Sequence, residues 1–373
     1  MLKRNYLVCL LLTTILVAGC APRQRPAPRA SASAVRALTA TATTQPAPAA
    51  SSTPTLIAPP DGLDDLSDAD IAALASLRKV DDYPLYTMTY VGGISSAATE
   101  QHLPAASKGQ ANDWACSLFA ALADPEGGLY GRNFDWYGSP ALLLFTHPPD
   151  GYAAVTMVDM AYLDVPPEAL QTLDEAPLGQ RTGLLEAPYL PFDGMNARGL
   201  AVGMAAVPGT SMPNDPGKPT VDNLGIMREV LDHARTVAEA VAIFEQHNIL
   251  MEEVPIHYLI ADAQGRAAII EFYQGEMVVI PNAQPYHLAT NFLVAEAGVV
   301  EAGGHARYDR IDETLAGSGG RLSVAAALEL LADVAQPNTQ WSVVYGLHSG
   351  EVHVALGRDY EQVHTFRLEE GGQ

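Results

Sequence analysis

The sequence predicts an α+β protein in which antiparallel strand pairs alternate with blocks of helix, and three observations lead there. Strand-like runs come in neighbouring pairs with turn-rich links, such as His257 to Asp262 and Ala267 to Tyr273 around Ala263-Gln-Gly-Arg266. Helical periodicity is confined to separate stretches: Asn223 to His233, a segment opening on the capping box Thr236-Val-Ala-Glu239, and Ser323 to Val334. Strands, then helices, then strands again, without βαβ alternation, indicate layered antiparallel sheets.

Taken in order, the chain opens with Lys3 and Arg4 before an apolar run from Leu7 to Val17, too short to span a bilayer comfortably. The run closes on Val17-Ala18-Gly19-Cys20, which resembles a bacterial lipobox. Residues 1–19 are therefore expected to be a lipoprotein signal peptide, with the lipid carried by Cys20. Residues 21–60 hold four Arg, no acid, and a dense scatter of Ala, Pro, Ser and Thr. Such a stretch cannot offset its own ordering entropy, so 20–60 reads as a lipidated cysteine followed by a disordered tether. The expected location is extracytoplasmic, anchored by lipid to the bacterial cell membrane or outer membrane.

Residues 61–373 carry the remaining 15 bases and all 43 acids, a net charge of −28. A field of that sign repels phosphate backbones and excludes nucleic acid as a partner. No phosphate loop or metal-ligand cluster is apparent, so no cofactor or metal is expected. A short helix starts at Ser67-Asp-Ala-Asp70, with Ile71, Leu74 and Leu77 on one face and Arg78-Lys79 at its end. Asp81 to Tyr90 alternates as a strand, and Gly92 to Gly109 reads as an exposed loop. Strands follow at Ser117 to Leu122, Leu129 to Phe134, Leu142 to His147 and Met277 to Ile280. The chain finishes with three more, near Trp341 to His348, Val352 to Leu356 and Val363 to Leu368.

The three cysteines are Cys9, Cys20 and Cys116. With Cys9 removed and Cys20 lipidated, the exported part keeps one thiol, which can form neither an internal disulfide nor a zinc site alone. It is either an inert core residue or a nucleophile. Its setting is Trp114-Ala-Cys116-Ser-Leu-Phe, followed by Gly131-Arg132-Asn-Phe-Asp135-Trp on the return strand of one hairpin. That hairpin brings a thiol, a guanidinium and a carboxylate together. Arg132 can stabilise a thiolate, and Asp135 can orient an ammonium by a charge-assisted hydrogen bond. No histidine base lies close in sequence.

Three further segments are Asp193-Gly-Met-Asn196-Ala-Arg-Gly-Leu, Thr290-Asn291-Phe and His305-Ala-Arg307-Tyr. Together with the first two, in this order, they resemble the cysteine N-terminal-nucleophile (Ntn) hydrolases of the linear amide C–N hydrolase group. That group includes choloylglycine hydrolases, penicillin V acylases, acid ceramidase, N-acylethanolamine amidase and isopenicillin N acyltransferase-like peptidases. The likeness covers residues 116–373, and Tyr83 to Tyr90 is similar to the leader strand of acyltransferase-like members.

The resemblance implies an αββα four-layer sandwich, two antiparallel sheets between helices, with a leader over 61–115 and the hydrolase domain over 116–373. It also implies autocleavage before Cys116, so that the freed α-amine is the missing base and the leader stays as a non-covalent subunit. Cys116, Arg132, Asp135, Asn291 and Arg307 would form the catalytic set, with Asn291 donating to the oxyanion and Arg307 anchoring the far side of the pocket. Asn133 and Asn196 read as hydrogen-bonding turn or core residues, and Asp193-Gly194 as a tight turn. Trp136 and Tyr137 suit either an acyl pocket or the core. Bile-salt hydrolases carry an oxyanion Asn ten residues after the Asn of Asp-Gly-Met-Asn; here Ala206 stands there, which favours the ceramidase-like or acyltransferase-like branches. The expected reaction is hydrolysis of a small-molecule linear amide through a thioester, with acyl transfer on the same scaffold and a non-catalytic surface lipoprotein as alternatives.

Overall fold

The computed structural model describes residues 63, 66–94, 115–125, 127–137, 140–163, 165, 169–251, 254–297 and 305–369. The signal segment, Cys20 and the tether lie outside these residues, as does most of the expected loop over 92–109. Among the described residues no helix is long and apolar enough to cross a membrane.

Helix α1 (Asp68–Ser76) opens on Ser67, whose hydroxyl accepts from Asp70 N while the Asp70 carboxylate reaches back. It ends at Leu77, so Arg78-Lys79 begin strand β1 (Arg78–Asp81) instead of closing the helix. The single strand expected over Asp81 to Tyr90 is two, because a turn over 82–84 containing Pro84 folds β1 back on β2 (Leu85–Tyr90).

Next come β3 (Ser117–Ala121), β4 (Leu129–Asp135), β5 (Ala141–Thr146), β6 (Ala154–Asp159), β7 (Asp193–Asn196) and β8 (Ala201–Ala206). A short parallel pair, β9 (Thr220–Asp222) with β10 (Asn248–Leu250), brackets α2 (Gly225–His233) and α3 (Val237–Glu245). Strands β11 (Ile256–Ala261), β12 (Ala267–Tyr273), β13 (Glu276–Pro281) and β14 (Tyr286–Ala289) precede α4 (Val294–Ala297), α5 (Ala306–Gly317) and α6 (Val324–Asp333). Strands β15 (Thr339–Gly346), β16 (Glu351–Leu356) and β17 (Val363–Arg367) complete the chain. Thr236 caps α3 by accepting from Glu239 N, but the Glu239 carboxylate reaches Arg235 N, one residue short of a reciprocal box.

One sheet has nine strands in the order β1-β2-β5-β6-β7-β8-β11-β12-β13, and the other has six in the order β14-β3-β4-β15-β16-β17. All pairings within them are antiparallel except β2 with β5, which run parallel over six residues. Alternation along β3 assigns the layers. Leu118 and Ala120 enter the main core, which also takes side chains from the nine-stranded sheet. Phe119 and Ala121 point the other way and pack with Ile311 and Leu315 of α5 and Leu330 and Leu331 of α6. Helices α2 and α3 cover the outer face of the nine-stranded sheet. The result is the αββα sandwich.

Candidate active site

The register of β3 against β4 pairs Ser117 with Asn133 and Leu118 with Arg132, so Cys116 comes beside the far end of β4. Each residue of Gly131-Arg-Asn-x-Asp135 then has its own reason. A Cβ at position 131 would lie 2.3 Å from the Phe119 ring, so only glycine lets the two strands close. Asn133 donates to the Leu331 carbonyl at 2.8 Å and accepts from Ser342 Oγ at 2.6 Å, tying sheet to helix. Arg132 and Asp135 are left for the site.

Cys116 is 4% exposed and Arg132 is fully buried. Nη2 of Arg132 stands 3.8 Å from Cys116 Sγ. Its Nη1 pairs with Asp193 Oδ2 at 2.7 Å and donates to the Phe192 carbonyl. Asp193 also accepts from Trp341 Nε1 at 3.1 Å and from the Tyr345 hydroxyl at 2.5 Å. The expected tight turn at Asp193-Gly194 is thus a buried strand, and Asp193 fixes the guanidinium that faces the thiol. Burial alone would lower the Arg132 pKa, but Asp193 and the sulfur hold it above the ordinary guanidinium value. A carboxylate before Gly-Met-Asn looks like a turn in sequence; only its alternation with Met195 could have marked it as a strand residue.

Asp135 ends β4. Its Oδ1 accepts from Thr339 Oγ1 at 2.5 Å, and the Thr339 hydroxyl in turn accepts from Gln336 N at 2.8 Å, which turns its proton toward Asp135. The other oxygen, Oδ2, is buried without a partner among the described residues. Burial lifts the Asp135 carboxyl to about 7, against the pull of Thr339, Arg307 and Arg132. An acceptor in that state is suited to a cation arriving beside it.

Arg307 does not reach the far side of the pocket, as the resemblance implies. From the first turn of α5 its Nη1 donates to the Cys116 carbonyl and to Ser117 Oγ at 2.9 Å, and its Nη2 donates to Asn291 Oδ1 at 2.9 Å. It holds the backbone of Cys116 and the amide of Asn291 at once. Because Arg307 can only donate, it identifies which Asn291 atom is oxygen. Asn291 Nδ2 therefore faces the Ala206 carbonyl, to which it donates at 2.8 Å, and its second N–H has no partner among the described residues. Ala206 thus meets Asn291 through its backbone carbonyl. Asn196 donates to the Leu231 and Ala234 carbonyls at 2.9 and 2.6 Å, the core role expected of it.

A pocket holding about 610 Å³ of empty space, open solvent at its mouth included, lies in front of Cys116 and Arg132. Phe134, Trp136, Phe192, Met204 and Leu224 make it apolar, and Asn223 adds a single amide whose Oδ1 is buried without a partner among the described residues. Charge is concentrated at the sulfur end. Among the described residues no group of three or more His, Cys, Asp or Glu is placed to hold a metal ion.

No curated protein matches the chain. Among solved structures, a mutant of the conjugated bile acid hydrolase from Clostridium perfringens is similar at 16% identity, over 68% of this chain and 92% of that one, with a TM-score of 0.49. A second variant of that hydrolase gives 14%, the same coverage and 0.48. The penicillin V acylase from Agrobacterium tumefaciens gives 17%, again 68% and 92%, and 0.45. Residues 116–291 match the family of linear amide C-N hydrolases, choloylglycine hydrolase family, and the match begins at Cys116 itself. Over these residues the chain is an amidohydrolase of the choloylglycine hydrolase family, acting on linear amides.

Proposed function

We propose that the protein is a lipid-anchored, extracytoplasmic amidase that hydrolyses N-acyl amines or N-acyl amino acids carrying a largely apolar acyl group, with Cys116 freed as an N-terminal nucleophile. The observation that carries this reading is Cys116 Sγ at the charged end of an apolar pocket, with Arg132 on the sulfur.

Maturation comes first. Cys116 Sγ attacks the Ala115 carbonyl, the Ala115–Cys116 C–N bond breaks, and the α-amine takes a proton as a thioester forms. Water then hydrolyses the thioester, giving the Ala115 carboxylate and the free thiol. The new α-amine, with an ordinary pKa near 7.7–8.0, pairs with Asp135 Oδ2 and accepts the thiol proton in each later turnover. Thiolate attacks the substrate carbonyl, and Asn291 donates its remaining N–H to the oxyanion. The leaving amine is protonated and departs, and water cleaves the acyl-enzyme.

The branch that acts on bile salts is disfavoured by Ala206, and the apolar pocket suits a flexible or aromatic acyl chain equally. The test is a panel of N-acyl anilides and acyl amino acids, including penicillin V and a conjugated bile acid, assayed on the purified full chain. Cys116→Ala should abolish hydrolysis with the fold intact. Cys116→Ser should be strongly impaired, because an alcohol is far less acidic than a thiol. Full activity in Cys116→Ala would remove the mechanism.

A further inference from the structure

A second buried pair of ionisable side chains lies outside the group just described. His257 of β11 and Glu271 of β12 are both fully buried, one step past the last paired residues Tyr258 and Ile270 of these strands. His257 Nδ1 is 2.9 Å from Glu271 Oε1, and His257 Nε2 is 2.7 Å from the Thr290 carbonyl. A carbonyl only accepts, so Nε2 carries a proton. Glu271 accepts further from Val294 N at Oε1 and from Ala295 N at Oε2, each at 2.8 Å. Burial would raise the Glu271 pKa, but His257 and these two N–H groups hold it below the ordinary carboxylate value.

The contacts bracket one residue. Thr290 immediately precedes Asn291, and Val294 and Ala295 follow it by three and four positions. The chain here leaves β14 of the six-stranded sheet, yet both ends of the turn hang on side chains of the nine-stranded sheet. Asn291 itself is held from below by Arg307 and faces Ala206, whose strand pairs β11 through Ala206 and Ile256. A buried ionisable pair is a costly way to fix a turn, and an apolar pair would serve packing as well. What an apolar pair could not do is grip the backbone on both sides of one amide at hydrogen-bond precision.

We propose that His257 and Glu271 are positioning residues that set where Asn291 presents its N–H to the reacting carbonyl. The proposal rests on the reading of Asn291 as oxyanion donor. An oxyanion donor acts only when it stands 2.7–3.1 Å from the oxygen that becomes charged, so a small drift of this turn lowers the rate without loosening substrate binding.

The experiment is a double-mutant cycle on the cleaved full-length enzyme with an N-acyl anilide, reading kcat, KM and melting temperature. Glu271→Gln keeps the shape but sets an NH₂ against a backbone N–H, and His257→Phe removes the donor to Thr290. Each is expected to lower kcat by roughly 10²-fold with KM within about twofold, the size of losing one oxyanion donor. His257→Gln, which can still reach the Thr290 carbonyl and is the milder variant should His257→Phe fail to fold, should recover at least part of the loss. The deciding arm is Asn291→Ala combined with Glu271→Gln: if the clamp acts through Asn291, the double variant is no slower than Asn291→Ala alone. Losses that multiply, or an unchanged kcat in Glu271→Gln, would overturn the clamp. Full kcat in Asn291→Ala alone would instead overturn the oxyanion reading on which the clamp depends.

Discussion

Asp135 combines a folded pKa near 7 with an unpartnered oxygen, and the sign of its effect on stability follows from that. In the uncut chain the folded state holds this proton up to about pH 7, while the unfolded carboxyl releases it near 3.9. The folded state therefore binds more protons between those values, and stability falls as pH rises through the window. The three-unit gap corresponds to about 4 kcal/mol in full. In an uncut Cys116→Ala background, Asp135→Asn should leave the melting temperature nearly unchanged at pH 4 and raise it by several degrees at pH 8. In the cleaved enzyme the same change should cut turnover by orders of magnitude, because the α-ammonium loses its partner. A variant that loses stability at both pH values while keeping its turnover would make Asp135 a structural group. Asn223 supplies a second residue-scale expectation. Its buried, unpartnered Oδ1 in an otherwise apolar wall favours substrates whose acyl group brings an N–H or O–H there. Among positional isomers of a hydroxylated acyl chain, at least one should exceed the plain chain about tenfold in kcat/KM, and Asn223→Leu should erase or invert that preference.

At the scale of elements, the segment proposed as the leader is built into the sandwich by β2. Its six residues pair in parallel with β5, and Leu85, Tyr86 and Met88 are buried there together with Leu74 and Leu77 from α1 and its end. Five large side chains of this kind give roughly 8–15 kcal/mol of gross burial, enough to keep a cut leader in place. Tyr86→Ala removes the largest of them and the 2.6 Å bond from its hydroxyl to the Leu170 carbonyl, at a cost of about 3–5 kcal/mol. The leader should then wash off the cleaved enzyme on size exclusion, whereas wild type should retain it. The same sheet shows what the sequence could and could not disclose. Strands β3 and β4 were legible because Cys116 and Gly-Arg-Asn-x-Asp punctuate an alternating pattern. Strands β6 and β7 were not, since every residue of both is buried and alternation is erased between a sheet and a helix layer. Asp193 was hidden for that reason, and the His257–Glu271 pair because its partners are backbone atoms far away in sequence. The nearness of Cys116 to Arg132 needed only local spacing; the position of Arg307 beneath the Cys116 backbone needed the fold.

For the whole molecule, the proposed cleavage before Cys116 would part the proposed lipid on Cys20 from residues 116–373, which gives the anchoring a testable logic. On that proposal the lipid belongs to the leader fragment, so only packing would hold the enzyme at the membrane after maturation. That packing reaches both sheets: β2 joins the nine-stranded one, while Asp81 meets His364 of β17 at 2.7 Å and the Tyr83 hydroxyl donates to Gln340 of β15 at 2.9 Å. A denaturing gel of the wild-type protein should show two fragments, the larger beginning Cys-Ser-Leu-Phe by N-terminal sequencing, and both should sediment together with membranes. Cys116→Ala should run as one uncut chain in the same fraction. Cys20→Ser should release both fragments of the active enzyme into the soluble fraction, and Tyr86→Ala should release the larger one alone. An active wild-type protein that stays a single polypeptide would show that its base is not the α-amine of Cys116, and activity retained on the membrane in both Cys20→Ser and Tyr86→Ala would show that the anchor lies elsewhere.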